Sequence, residues 1–188
     1  MSTIVDRSQM ISKRKSLPIE VRQNCSDIIS NKLFLLDEYK NAKDILIYAD
    51  SAGEVATDKI IMQSLINNKR VFAPVSHDDC SMEFYRIFSI DEMYPGYKGI
   101  REPLEIDNLI FDTGSSDKND TCVIVPGVCF DKNKNRAGFG KGFYDRYLAR
   151  IKSTNIAIAY DFQVTDSIDT CETDIPMDII ITEKEIYV

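Results

Sequence analysis

The sequence predicts an α/β fold, an open and mostly parallel sheet with helices on both faces, in a single Rossmann-like domain over residues 1–188. Apolar segments suited to buried strands alternate with amphipathic helical segments along most of the chain. A length of 188 residues is that of one ordinary domain. The 44% of hydrophobic and 28% of charged residues are typical of a soluble globular protein.

The first long helix is predicted over residues 18–40. Pro18 fits its first turn, and six apolar residues recur at three- and four-residue spacing: Val21, Cys25, Ile28, Ile29, Leu33 and Leu36. The preceding polar segment carries Arg7, Lys13, Arg14 and Lys15. It is either a solvated helix or arm, or a basic element that folds over an anionic ligand, and charge alone favours the solvated form.

Six short apolar segments predict strands, at residues 45–49, 70–74, 82–88, 121–125, 156–160 and 179–182. Thr57 is predicted to be the N-cap of a second helix. That helix carries Ile60, Ile61, Leu65 and Ile66.

Residues 95–120 form the least regular part of the sequence, rich in Gly, Pro, Asp, Asn and Ser. Two interpretations stand side by side for this segment. It is a surface linker, or it is a loop that closes over a site.

Charge and cysteine content limit the possible partners. The 23 basic and 30 acidic residues give a net charge of −7, which argues against general nucleic-acid binding. The five cysteines are scattered without a C-x-x-C pair, and His77 is the only histidine, which favours reduced thiols over disulfides or a zinc site. No signal-peptide run or membrane span is present. We therefore expect a cytoplasmic protein without a membrane partner, most simply a monomer.

A glycine-rich segment carries the strongest functional signal. Residues 123–131 form an apolar strand that ends in Pro-Gly, and residues 136–145 hold three glycines together with Arg136, Lys141 and Asp145. Glycines let backbone amides approach a phosphate, basic side chains neutralise it, and a carboxylate can hold Mg²⁺. These features predict a nucleotide triphosphate site. Glycine spacing alone predicts a tight strand-to-helix turn equally well, because neither the Walker A nor the dinucleotide pattern is complete.

The whole pattern resembles a known family. Val-Pro-Gly-x-x-Phe-Asp at residues 125–131 and Arg-x-Gly-x-Gly-x-Gly-x-Tyr-Asp at residues 136–145 are similar to the signature of the 5-formyltetrahydrofolate cyclo-ligases, also called 5,10-methenyltetrahydrofolate synthetases. Further pieces occur in the family's order: Tyr48, Glu54-x-x-Thr57, Lys69-x-Val-x-x-Pro74, Met82-x-Phe84, Gly99-Ile-x-Glu-Pro103, Ala159-Tyr-Asp-Phe-Gln163, Asp174-Ile-Pro-Met-Asp178 and Ile180-Ile-Thr-Glu183. The resemblance implies a fold like that of the NagB/RpiA/CoA-transferase group.

The resemblance also implies a reaction. Members of this family use ATP and Mg²⁺ to convert 5-formyltetrahydrofolate into 5,10-methenyltetrahydrofolate, with release of ADP and phosphate. The formyl oxygen attacks the γ-phosphate, and N10 of the folate then closes the resulting iminophosphate. The alternative is a non-catalytic protein of the same fold that binds a reduced folate or a nucleotide.

By the same resemblance, Arg136 and Lys141 are expected to be catalytic. The expected ATP-binding residues are Arg7, Arg136, Ala137, Gly138, Phe139, Gly140, Lys141, Gly142, Phe143 and Tyr144. The expected folate-binding residues are Ser51, Glu54, Ala56, Phe139, Gly140, Lys141, Gly142 and Phe143. Asp145 and Asp174 are expected to bind Mg²⁺.

Simpler interpretations exist for some of these residues. Ser51 and Glu54 fit a polar turn that leads to the Thr57 cap, and Asp174 fits a turn before Pro176. Tyr144 fits the core of the following helix. Phe84 and Tyr85 are weaker folate candidates, because strand alternation predicts that one of them is a core residue.

Two positions depart from the family pattern. Members carry a basic K-x-x-x-R element near the N-terminus that reaches ATP; here Arg7 matches the arginine and Thr3 replaces the lysine, with Lys13 or Arg14 as substitutes. The residue before Thr57 is often acidic in the family and is Ala56 here. The loss of a charged hydrogen bond weakens binding. We therefore expect a working enzyme with altered affinity.

Overall fold

The computed structural model describes residues 6–188, so the expectation for Thr3 lies outside the described residues. The described helices are α1 (Arg7–Ser16), α2 (Ile19–Leu35), α3 (Asp37–Asn41), α4 (Asp58–Ile66) and α5 (Phe143–Leu148). The strands are β1 (Asp44–Ile47), β2 (Arg70–Ser76), β3 (Met82–Ile87), β4 (Tyr94–Pro95), β5 (Arg101–Glu102), β6 (Thr121–Val125), β7 (Cys129–Asp131), β8 (Arg136–Ala137), β9 (Thr154–Ile158), β10 (Val164–Thr165), β11 (Ile179–Ile181) and β12 (Ile186–Tyr187). Over residues 6–188, no helix combines the length and the apolar character that crossing a bilayer requires.

Seven strands form the central sheet in the order β12-β11-β9-β6-β1-β2-β3. The five inner strands run parallel, and β3 and β12 pair antiparallel at the two edges. Two smaller sheets, β10-β7-β8 and β4-β5, lie apart from it. The predicted α/β fold with an open, mostly parallel sheet is confirmed.

Alternate residues of the inner strands pack into two separate cores. Ile45 and Ile47 of β1 belong to the core that includes residues of α2 and α4, and Leu46 belongs to the core that includes α5 and Phe111. All three β1 side chains are fully buried. Such burial stabilises the fold by roughly 1.5–3 kcal/mol for each side chain. Helices therefore cover both faces of the sheet, and its edges are left for the loops.

The predicted helix over residues 18–40 is two helices in the structure. Leu36 has an extended backbone, with φ −68° and ψ 137°, and separates α2 from α3. Asp37 and Glu38 begin α3, where acidic residues are favoured. The break lets Tyr39 enter the core, where its hydroxyl bonds Ser64 Oγ at 2.7 Å.

Thr57 does precede α4, as predicted, but its side chain makes no capping bond. The Thr57 hydroxyl instead donates to Asp50 Oδ1 at 3.1 Å and accepts from the Asp50 N–H at 3.2 Å. These bonds close the loop that follows β1. Asp50 and Thr57 thus fix the segment on which the predicted folate residues lie.

The segment over residues 95–120 is anchored at several points. Glu102 is buried and accepts from the backbone N–H groups of Ser76 and Tyr97 at 3.0 and 2.8 Å. Arg101 donates to Asp58 at 2.5 Å. Phe111 packs in the core beside Phe72, with ring centroids 5.0 Å apart. The segment therefore lies against the main sheet and α4.

All five cysteines are free thiols, as the sequence predicts. Cys122 and Cys129 are buried. Burial raises the pKa of Cys122 to about 12 and also raises the pKa of Cys129. Both thiols are therefore protonated and inert at neutral pH, in agreement with the sequence interpretation.

Candidate active site

The predicted site residues meet at the carboxyl edge of the parallel strands, the usual place for ligands in such sheets. Arg14 of α1 contacts three of the segments that border this edge. Its Nη1 donates to the carbonyl of Gly127, just after β6, and its Nε donates to the carbonyl of Ala52, in the loop after β1, both at 3.2 Å. Its Cζ lies 5.8 Å from the ring centroid of Phe139 in the glycine segment. Three separate segments thus surround one side chain.

The glycine loop, residues 138–142, requires its glycines. Gly140 and Gly142 have φ values of +86° and +66°, a left-handed conformation that other residues rarely adopt. A Cβ atom would lie 2.7 Å from Arg136 Nη1 at Gly138, and 3.1 Å from Arg7 Nη1 at Gly140. The absence of side chains therefore lets two guanidinium groups approach the loop backbone. Arg7, which the sequence assigned to ATP, lies beside this loop.

Lys141 is exposed at the tip of the loop, between the two left-handed glycines. Arg146 supports it from α5, because Nη2 donates to the carbonyls of Lys141 and Cys80 at 2.7 and 2.6 Å. The glycine loop is thus braced against the turn between β2 and β3. The sequence analysis missed Arg146, since nothing in its neighbourhood distinguishes it from a solvated helix residue.

Arg136 and Asp145 form a largely buried ion pair. Arg136 Nη2 donates to Asp145 Oδ1 at 2.8 Å, and the two side chains are 5% and 19% exposed. Nη1 lies 3.5 Å from the Pro126 carbonyl, whereas Nε finds no hydrogen-bond partner among the described residues. The sequence analysis gave these residues separate tasks, phosphate and metal. The structure brings them together and makes each the partner of the other.

Asp174 is connected to Asp145 through the backbone of Ile175, the next residue in the chain. The Ile175 N–H donates to Asp145 Oδ1 at 3.4 Å. Asp174 Oδ2 accepts from the Cys171 N–H at 2.8 Å, so Asp174 is also the turn residue of the simpler interpretation. Within residues 6–188, no group of three or more metal-binding side chains occurs. The Ile175 N–H joins the two segments, and each of them offers a carboxylate. Mg²⁺ commonly takes one or two carboxylates and completes its shell with phosphate and water.

Ser51 and Glu54 lie in the loop after β1 and form the expected polar turn. Ser51 N–H donates to Glu54 Oε2 at 3.0 Å, and Glu54 N–H donates to the Ser51 carbonyl at 2.9 Å. The Glu54 side chain is nevertheless only 7% exposed and lies 3.5 Å from Arg14 Nη1. Burial raises the pKa of Glu54, while Arg14 and Ser51 oppose that rise. The turn alone does not require such burial, so Glu54 is also the counter-charge of Arg14.

The solvated interpretation of the N-terminal basic segment is wrong for Arg14, which is 1% exposed. Its charge is tolerated because Glu54 and two carbonyl oxygens surround it. Met10, Arg14 and Leu17 share one helix face by their four- and three-residue spacing. That spacing is the signal that would have placed Arg14 inside. Lys13 takes another direction, with its ammonium 4.5 Å from the ring centroid of Phe162.

The aromatic candidates separate into exposed and buried groups. Phe139 is 58% exposed, and Phe143 packs against Tyr97 with centroids 6.1 Å apart. The Tyr144 hydroxyl is buried without a hydrogen-bond partner in the described chain, and burial raises its pKa well above the usual range. Phe84 is fully buried and packs against Tyr144, so it is a core residue.

The remaining candidates lie in β3 (Tyr85), in β8 (Ala137) and in the loop after β1 (Ala56). Tyr85 is buried like Phe84, so strand alternation did not separate the two. Ala137 is buried in β8, beside the glycine loop. Ala56 N–H donates to Ser26 Oγ at 3.0 Å, which ties the loop after β1 to α2.

Comparison with known proteins gives a consistent family. The sequence model of the 5-formyltetrahydrofolate cyclo-ligase family matches residues 3–183. The chain is 28% identical to the mouse (Mus musculus) 5-formyltetrahydrofolate cyclo-ligase, over 94% of this chain and 91% of that protein. It is 30% identical to the enzyme of Mycoplasma pneumoniae, over 95% of this chain and 96% of that protein.

A solved structure gives the same result. The NMR structure of Aquifex aeolicus 5,10-methenyltetrahydrofolate synthetase superposes with a TM-score of 0.82 and 33% identity, covering 96% of this chain and 89% of that one. Sequence and structure therefore agree, and the chain belongs to the 5-formyltetrahydrofolate cyclo-ligase family.

Proposed function

We propose that this chain is an ATP- and Mg²⁺-dependent 5-formyltetrahydrofolate cyclo-ligase, which converts its substrate into 5,10-methenyltetrahydrofolate with release of ADP and phosphate. One observation carries the proposal. A glycine loop surrounded by basic side chains lies beside a buried Arg14–Glu54 pair, in a chain whose relatives bear this name. In this proposal, a phosphate-binding half and a folate-binding half share one edge of the sheet.

The phosphate half is suited to charge neutralisation, the main requirement of phosphoryl transfer. Backbone amides of residues 138–142 face the triphosphate, and Arg7 and Lys141 supply mobile positive charge to it. Arg136 is fixed by Asp145 and contributes its positive charge. Asp145 and Asp174 would hold Mg²⁺, which would supply further neutralisation of the phosphate oxygens.

The folate half holds the ring system beside the loop. Ser51, Glu54 and Ala56 line the loop after β1, where Glu54 offers a carboxylate to the N–H groups of the pterin. The flat rings of the folate stack on Phe139 and Phe143 and on the glycine backbone. We propose that both ligands are small molecules bound by a cytoplasmic monomer.

The chemical steps follow from this arrangement. The formyl oxygen attacks the γ-phosphorus, the bond to the ADP oxygen breaks, and ADP departs. N10 then attacks the formyl carbon and loses its proton, and the carbon–oxygen bond breaks with release of inorganic phosphate. Close placement of the two ligands supplies most of the acceleration, because no protein nucleophile takes part.

The test is ADP formation. Purified protein with MgATP is supplied with 5-formyltetrahydrofolate or with tetrahydrofolate, which lacks the formyl group. We expect ADP to form only with the formyl substrate, in one-to-one ratio with 5,10-methenyltetrahydrofolate. Folded protein that binds the folate in a calorimeter but forms no ADP would support the alternative, a non-catalytic folate- or nucleotide-binding protein.

The proposed intermediate has a separate test. Substrate labelled with oxygen-18 in the formyl group should deliver the label to inorganic phosphate, as mass spectrometry of the phosphate would show. Label recovered in water or left in the folate would contradict attack by the formyl oxygen, even if the overall reaction takes place.

A further inference from the structure

Arg14 is the largest fully buried side chain in the described chain. A buried guanidinium group is costly unless charges and hydrogen bonds compensate it. Here the compensation comes from the loop after β1, through Glu54 and the Ala52 carbonyl, and from the Gly127 carbonyl after β6. The contacts thus join α1 to the two loops that border the site.

Two observations, an Nη2 unpaired among the described residues and the neighbouring Phe139, favour a functional role over a purely structural one, together with the role proposed for Glu54. Arg14 Nη2 has no hydrogen-bond partner among residues 6–188, although buried donors are normally paired. The acidic partner, Glu54, is the carboxylate that the proposed function assigns to the folate. Phe139, exposed beside the Arg14 guanidinium, belongs to the same proposed folate surface.

We propose that Arg14 is a positioning residue that acts through Glu54, holding its carboxylate in place for the reduced folate. This inference rests on the proposed function. Neighbouring bonds fix Glu54 from the other side, because the Ser51 N–H donates to its Oε2 at 3.0 Å. Arg14 supplies the positive charge and the connection to α1, which also carries Arg7 beside the glycine loop.

The pair also sets a pH dependence. Besides Arg14 and Ser51, the groups that face Glu54 are Asp50, Tyr48 and Tyr144. Burial raises the pKa of Glu54 and Arg14 lowers it, so removal of Arg14 raises it further. Folate binding that needs the ionised carboxylate is present above this pKa and is lost as the pH falls through it. Without Arg14, the loss occurs at higher pH.

The experiment compares Arg14→Met, Arg14→Lys and the control Lys15→Met. Methionine fills the buried volume without charge. Lysine keeps the charge but lacks the several N–H donors of the guanidinium group. Lys15 is an exposed cation on the same helix. Glu54→Gln and the double variant Arg14→Met/Glu54→Gln complete a double-mutant cycle. Folate affinity is measured by calorimetry from pH 5.5 to 8, and KM and kcat are measured against an enzyme-free sample at each pH.

We expect Arg14→Met to raise the dissociation constant and KM for 5-formyltetrahydrofolate on the order of tenfold or more at pH 7.5. We expect kcat to change by less than about threefold, and the pH of half-maximal folate affinity to rise. In the Glu54→Gln background, Arg14→Met should have little further effect on affinity, as expected for a residue that acts through Glu54. Arg14→Lys should lie between wild type and Arg14→Met.

Two outcomes would overturn the inference. One is that Arg14→Met and Lys15→Met have the same folate affinity and the same pH profile. The other is that the effects of Arg14→Met and Glu54→Gln on the free energy of folate binding are fully additive. If Arg14→Met does not fold, Arg14→Lys decides by the same comparison. Failure of the proposed function would look different from failure of this inference. Wild-type protein would then form no product, whereas calorimetry would still show whether Arg14 affects folate affinity.

Discussion

The two halves of the proposed site, the glycine loop and the loop after β1, differ in how they hold charge. In the glycine loop, Lys141 and Phe139 are exposed, and the backbone itself is shaped by glycines with positive φ. On the folate side, Arg14 and Glu54 are buried and reach each other from distant parts of the sequence. The comparison teaches that the glycine loop is encoded in one continuous segment, although Arg7 reaches it from α1, whereas the Arg14–Glu54 pair forms only through the tertiary fold.

This difference separates the expected effects of mutation. A change in the exposed loop affects transition-state charge and leaves the fold intact. A change in the buried pair affects affinity through the position and ionisation of one carboxylate. The predictions below test this separation.

The largest effect is expected from Lys141→Ala. Removal of a cation that offsets developing phosphate charge should lower kcat by about 100-fold or more. The unfolding temperature should stay within about 2 °C of wild type, because the side chain is exposed. Steady-state assay and thermal unfolding check both expectations.

Lys152→Ala is the matched control, since Lys152 is also exposed but lies outside the glycine loop. It should keep wild-type kcat. Equal losses of kcat in the two variants would mean that the total charge of the protein matters and the loop position does not. Lys141 would then no longer belong to the proposed site.

An intermediate effect is expected from Glu54→Gln. Burial raises the pKa of Glu54, so in wild-type protein the ionised carboxylate is present above this raised pKa and is lost as the pH falls through it. KM for the folate should therefore rise in wild-type protein as the pH falls. The variant should have a KM about tenfold higher at pH 7.5 and nearly constant with pH.

KM values for both proteins at several pH values provide the check, with an enzyme-free sample at each pH. Parallel pH profiles would show that another group controls folate affinity. Such a result would assign Glu54 to the fold of its loop alone.

The smallest effect is expected from Ala56→Glu, which restores the acidic residue that family members often have. A new charged hydrogen bond to the folate should lower KM by a few-fold without changing kcat. Ala56→Gln has the same length without the charge and serves as the control. A KM unchanged in both variants would show that this position lies away from the ligand.

Much of the fold followed from local pattern. The alternation of apolar segments gave the parallel sheet, and the Arg136–Asp145 string gave the glycine loop, because both are encoded in continuous sequence. The break at Leu36 was missed, since the apolar spacing continues across it and only the packing of Tyr39 explains it.

The missing parts of the site are long-range contacts. Arg14 looked like one cation among several in a polar segment, and its burial depends on Glu54 and Gly127, which lie far away in sequence. The pairing of Arg136 with Asp145 was also missed, although both residues were candidates. Motifs identified the candidate residues, and the tertiary structure was needed to show which of them touch.

The most direct test of the central claim is the absorbance of the methenyl-folate product. Purified protein is mixed with 5-formyltetrahydrofolate and MgATP, and a parallel sample lacks ATP. The account predicts that the band grows only when ATP is present, and that Lys141→Ala slows its growth by about 100-fold. A flat trace from folded wild-type protein, or growth that does not depend on ATP, would contradict the account.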